Sequence, residues 1–166
     1  MFSDLKRAWA VWILSAQGFS GQLSSSWGRD KKTNKVSKML MNKRNSFSLD
    51  LAIRLQDVQL EARDALRVIK ANDQEDVFYY VDPPYYNSDL GHYDGYTIED
   101  YEMLLETLKN IKGKFLLSSY PSPILDKYQK SLNWDRQEFK KAVSVSHNGR
   151  KKIEVITSNF ELKNVA

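Results

Sequence analysis

Apolar residues recur at helical spacing at the start of the chain: Leu5, Ala8 and Trp9, Trp12 and Ile13, then Ala16. Positions three and four apart share a helix face, so residues 4–17 are predicted as an amphipathic helix. Gly18, Gly21 and the run Ser24-Ser25-Ser26 end it. A basic loop follows. Ser48 is placed to cap a second helix carrying Leu49, Ala52, Ile53 and Leu55. Val58-Gln59-Leu60-Glu61 reads as a short strand, and Asp64 as the cap of a helix with Leu66 and Ile69 on its inner face.

The middle of the chain is patterned more strongly. Val77-Phe78-Tyr79-Tyr80-Val81 is a continuous apolar, β-branched and aromatic run of the kind buried on both faces of a parallel sheet. Asp82-Pro83-Pro84-Tyr85 stops it abruptly. Thr97 with Asp100 resembles a capping box. Ile98, Tyr101, Leu104, Leu105, Leu108 and Ile111 then repeat at helical spacing, and Gly113 is expected to end that helix. Lys114–Ser119 reads as a second buried strand, followed by a short helix over about 124–132. Two strand-like runs close the chain, about 139–146 and 153–158, with the hairpin signal Asn148-Gly149 between them. Strands alternating with helices predict an α/β fold with a mostly parallel, Rossmann-like sheet, a C-terminal antiparallel hairpin and a helical segment in front. Residues 1–50 are expected to form a helical, basic segment and 51–166 the α/β portion.

Composition narrows the chemistry. The 166 residues include no cysteine and only two histidines, His92 and His147. Disulfides, thiolate metal sites, cysteine nucleophiles and histidine-rich metal sites are excluded. No apolar run approaches the ~18 residues of a membrane span, and no secretory signal is visible, so the default expectation is a cytoplasmic protein away from membranes. The net charge of +4 is unevenly placed. Arg29, Lys31, Lys32, Lys35, Lys38, Lys43 and Arg44 lie within sixteen positions opposed only by Asp30, a local charge of +6. Such a stretch suits phosphate contact; it also suits a solvated loop without a ligand. A second group, Lys140, Lys141, Arg150, Lys151 and Lys152, is interrupted by apolar alternation and reads as the charged face of a strand pair.

The tetrapeptide Asp82-Pro83-Pro84-Tyr85 carries the sharpest chemistry. Two prolines remove two backbone donors and hold the preceding residues extended, so carbonyls can project unpaired into a cleft. The carboxyl end of a buried strand is where open α/β sheets bind ligands. A carboxylate, a free carbonyl and an aromatic ring side by side fit one problem. The exocyclic amine of a base is a poor nucleophile because its lone pair is delocalised. Asp82 and a proline carbonyl can each accept one N–H of that amine and aim the lone pair at a methyl donor, while Tyr85 stacks on the base.

With this motif the chain resembles the Dam-like, adenine-specific (N6) DNA methyltransferases, whose signature is Asp-Pro-Pro-Tyr after a hydrophobic strand. Arg7-Ala8-Trp9 with Phe19-Ser20-Gly21 resembles a segment these enzymes carry upstream. Residues Leu55–Glu61 with Asp64-Ala65 resemble their strand-plus-acid cofactor element, Lys114–Tyr120 their next strand, and Lys152–Phe160 their closing hairpin strand. The resemblance implies methyl transfer from S-adenosylmethionine to adenine N6 in DNA. It implies that Asp82, Pro83, Pro84 and Tyr85 form the catalytic set, and that Asp64 and Asp82 contact the cofactor. DNA contact falls to Arg29, Lys31, Lys32, Lys35 and Lys38. Asp64 reads equally as a plain helix cap.

Two departures from the family pattern stand out. The glycine-rich Phe-x-Gly-x-Gly loop that approaches the methionine part of the cofactor is not found; Gly18-Phe19-Ser20-Gly21 follows a helix and reads as a helix stop. The family's Asp-His after the tetrapeptide stands here as Asp100-Tyr101. The chain is therefore expected to be the catalytic, C-terminal portion of such an enzyme: a truncated product, one half of a split enzyme, or a remnant. A separate N-terminal half or self-association would complete it. The competing readings are a non-catalytic nucleic-acid-binding remnant and an amino-methyltransferase acting on cytosine N4, RNA or protein.

Overall fold

The computed structural model describes residues 3–18, 33–87, 95–142 and 151–163. The chain divides into two compact units, Met1–Leu60 and Glu61–Ala166.

The first unit is helical. Helix α1 (Asp4–Gln17) covers the predicted range, with Ser3 accepting from the Lys6 amide and Gly18 closing the last turn onto the Leu14 carbonyl. Helix α2 (Lys35–Ser46) occupies the second half of the segment read as a basic loop, which corrects that reading. Half-buried Val36, Leu40, Lys43 and Phe47 fall at helical intervals between the lysines, a stripe too sparse to stand out from them. Trp12 donates its indole N–H to the Lys43 carbonyl at 2.9 Å, and Trp9 and Trp12 both pack on Phe47. Helix α3 (Leu49–Arg54) follows Ser48 as expected. None of these three helices contributes a fully buried residue.

The second unit carries the sheet. Helix α4 (Ala65–Ala71) precedes strand β1 (Phe78–Val81); α5 (Ile98–Lys109) leads to β2 (Lys114–Ser119); α6 (Pro123–Leu132) leads to β3 (Asp135–Ala142) and β4 (Lys151–Ser158). The strand order is β1-β2-β4-β3. Among the described residues β1–β2 is the parallel pairing, while β2–β4 and β4–β3 are antiparallel. The expected terminal hairpin is therefore present, with β3 starting at Asp135, ahead of its predicted start; Asn148-Gly149 lies outside the described residues.

The core is built where the apolar periods meet. Tyr101, Leu104, Leu105 and Leu108 from α5 and Leu125 from α6 pack on Phe115, Leu117 and Val155, with Trp134 edge-on to Phe115. Thr97 and Asp100 form the complete capping box at the start of α5. That helix ends at Asn110, which replaces the expected stop at Gly113. Gly113 instead permits a close backbone approach. A Cβ there would lie 2.6 Å from the Val77 carbonyl oxygen, where the chain enters β2 beside β1.

Two other expectations are corrected. Val58–Glu61 forms no strand; no described strand pairs with it, and Val58 and Leu60 are exposed. Strand β1 is not buried on both faces. Its only described neighbour is β2, and Phe78 and Tyr80 are 53% and 65% exposed, so among the described residues it is the outer strand of the sheet. An apolar run signals a strand, but burial depends on the neighbours it receives.

Candidate active site

The β1–β2 register ends at Val81↔Leu117, so the tetrapeptide begins where the ladder stops. Pro83 and Pro84 have no N–H to continue it. Asp82 emerges exposed, while Pro83, Pro84 and Tyr85 are half-buried.

Two hollows meet at this segment. A cleft of about 810 Å³ has Asp82, Pro83 and Pro84 in its lining, together with Asp64 at the N-terminus of α4. Leu66, Ile69, Tyr79 and Val81 give it apolar surface. A smaller hollow of about 290 Å³ is lined by Asp82, Pro83, Pro84 and Tyr85. The same three residues thus border both spaces.

Tyr85 is fixed from outside the tetrapeptide. Its phenol donates to Asp82 Oδ1 at 3.3 Å and lies 2.6 Å from Ser118 Oγ on β2. Its ring meets Tyr120 edge-on at a centroid distance of 4.5 Å. Burial, opposed by the Ser118 hydrogen bond and reinforced by the Asp82 charge, pushes the phenol up to about 12. Burial and the Asp100 charge likewise push Tyr96, which lines the larger cleft, up to about 12.

The larger cleft is acidic: Glu61, Asp64, Asp82 and Asp100 line it against Arg63 alone. Arg63 pairs with Glu61 and holds that carboxyl below its ordinary value. Asp64 accepts from the Arg67 amide at 3.0 Å, so it caps α4, and it also borders the cleft. Asp100 likewise serves the capping box and borders the cleft, whereas Tyr101 is buried in the core against Tyr86. An apolar slot with carboxylates along it suits a cationic nucleoside: the walls cover the base and the acids accept from amino and hydroxyl groups. S-adenosylmethionine is such a ligand, and the residues present fit its nucleoside portion and its charge.

The predicted DNA-contacting residues are placed in part. Lys35 and Lys38 lie on the exposed surface of α2, beside Met39, Asn42, Lys43 and Ser46. Arg29, Lys31 and Lys32 lie outside the described residues. Sequence reasoning missed Ser118, Tyr120 and Tyr96. Ser118 and Tyr120 belong to a segment legible only as a strand end, and the register that brings Ser118 beside the tetrapeptide is a tertiary fact. Among the described residues no group of histidine and acidic residues is arranged to hold a metal ion.

A family model described as D12 class N6 adenine-specific DNA methyltransferase matches residues 3–159. No curated protein matches the chain.

Proposed function

The chain belongs to the D12 class N6 adenine-specific DNA methyltransferases, and on that basis we propose which of its residues carry the reaction. The family's reaction is methylation of adenine N6 in DNA, dependent on S-adenosylmethionine. The observation that carries the assignment is the shared border of the two hollows. A methyl transfer needs donor and acceptor side by side, and Asp82-Pro83-Pro84 is the segment that touches both spaces.

In this reading the adenine, turned out of the duplex, enters the smaller hollow. Asp82 and the Pro83 carbonyl each accept one N–H of its amine. Their acceptance draws the nitrogen toward a pyramidal form and stabilises the positive charge that develops as it is alkylated. Pro84 stiffens the carbonyl's direction, and the Tyr85 ring covers the face of the base. The larger cleft holds the cofactor, whose sulfonium supplies an electrophilic methyl group when bound. Asp64 accepts from the nucleoside end, and Asp82 stands at the reacting end. Lys35 and Lys38, with Arg29, Lys31 and Lys32, contact phosphates. Among the described residues β1 pairs with β2 alone, which supports completion of the site by a separate N-terminal half or by self-association. Among the described residues no helix is long and apolar enough to cross a membrane, and a DNA substrate fits cytoplasmic residence.

Replacing Asp82 tests the assignment. The residue is exposed at a strand end, so Asp82→Ala should abolish tritium-methyl incorporation into DNA while leaving stability unchanged within about 0.5 kcal/mol. Full activity in that variant, assayed alone or with its completing half, overturns the assignment.

A further inference from the structure

We propose that Ser118 is a positioning residue for adenine methylation: from the neighbouring strand, its hydroxyl fixes the Tyr85 phenol and, through it, the Asp82 carboxylate. The inference rests on the assignment of Asp82 to the amine.

The direction of the chain of hydrogen bonds follows from proton counting. A phenol has one proton, and Tyr85 gives it to Asp82 Oδ1. The 2.6 Å contact between Tyr85 Oη and Ser118 Oγ must then use the serine proton. The order is Ser118 to Tyr85 to Asp82. It occupies Oδ1 and turns Asp82 so that Oδ2 remains to accept from the amine. It also sets the tilt of the Tyr85 ring, whose other constraint is the edge-on contact with Tyr120.

Ser118 is suited to this by its place. It is 6% exposed and directly follows Leu117, the partner of Val81 in the last step of the β1–β2 register. It therefore belongs to the rigid sheet, whereas Asp82 belongs to the segment just beyond the ladder. A loop carboxylate tied to a strand hydroxyl loses rotational freedom before the base arrives, and that is preorganisation. A phenol is protonated at neutral pH, and burial raises it further, so the relay persists across neutral pH.

The test compares Ser118→Ala, Ser118→Thr, Tyr85→Phe and the Ser118→Ala/Tyr85→Phe double variant in the full chain. Two readouts are used. Carbon-13 labelling at tyrosine Cζ, with the Tyr85 line identified by its loss in Tyr85→Phe, reports the contact without any need for turnover. Ser118→Ala and Asp82→Asn should each move that line, and Ser118→Thr should restore it. A line unmoved by Ser118→Ala in a folded variant overturns the proposal. In methyl transfer, kcat should fall about tenfold or more in Ser118→Ala with the KM for DNA little changed. Ser118→Thr should recover most of it, and the double variant should be no worse than Tyr85→Phe alone, because both act along one path. Full kcat in Ser118→Ala, or losses that multiply, overturns the positioning role even when Asp82→Ala is inactive. An active Asp82→Ala instead removes the reading beneath it.

Discussion

Asp64 combines a helix-capping role with a proposed role in the cofactor cleft. Its carboxylate caps α4 and borders the larger cleft. The two roles separate by substitution, since asparagine caps a helix about as well as aspartate but carries no charge. Asp64→Ala should cost about 1 kcal/mol of stability. Asp64→Asn should melt like the parent. Both should weaken nucleoside contact, read as smaller chemical-shift changes when adenosine is titrated into the labelled protein, a measurement that detects weak binding. Asp64→Asn with undiminished shifts would leave Asp64 a cap alone. Gly113 is the opposite case, a residue whose role is purely steric. Alanine there meets the Val77 carbonyl at 2.6 Å and the Gln74 carbonyl at 3.0 Å, both backbone atoms of the segment leading into β1. Gly113→Ala should therefore destabilise the second unit by about 2 kcal/mol, seen as a lower denaturation midpoint with an unchanged slope.

At the scale of elements, what the sequence made legible was whatever its own period or punctuation decides. The Leu104–Leu108 stripe, the Thr97–Asp100 box and the tetrapeptide are local signals, and α5, its cap and the strand end follow them. Elements that depend on distant partners were misjudged. Val58–Glu61 has strand-like residues and no described strand beside it; β1 has buried-strand residues and an edge position. Helix α2 was hidden because its lysines dominate the composition while its packing residues are few. That helix changes the expectation for the basic segment, because a helix presents charges at fixed intervals. Neutralising Lys31, Lys32, Lys35 and Lys38 together should weaken DNA binding and flatten its dependence on salt, each lost phosphate contact reducing the logarithmic slope by about one. An unchanged slope across a salt titration would make the segment a bystander.

At the scale of the whole molecule, the larger cleft runs along the edge of β1 that no described strand pairs. The cleft is lined by Phe78, Tyr79, Tyr80 and Val81 in succession. Successive strand residues point to opposite faces, so a space touching all four runs along the edge itself, where a strand turns N–H and C=O groups outward. Such an edge favours pairing with another strand, and the exposed Phe78 and Tyr80 rings add apolar area beside it. The same opening bears on the cofactor. In the proposed site the acidic, apolar lining would cover the nucleoside and the charge, but no glycine-rich turn lines the cleft among the described residues. Among the described residues, therefore, no glycine-rich turn supplies backbone donors where the methyl group would be placed, the point at which placement matters most. The 166-residue chain by itself should therefore bind S-adenosylmethionine weakly in calorimetry and should elute from size-exclusion chromatography in a concentration-dependent, self-associated form. Replacing Tyr80 by lysine, a residue that protects natural sheet edges, should shift it toward monomer without unfolding it. Tight one-to-one cofactor binding would show that another segment covers the methionine end. A clean monomer at all concentrations would show that the edge is already protected.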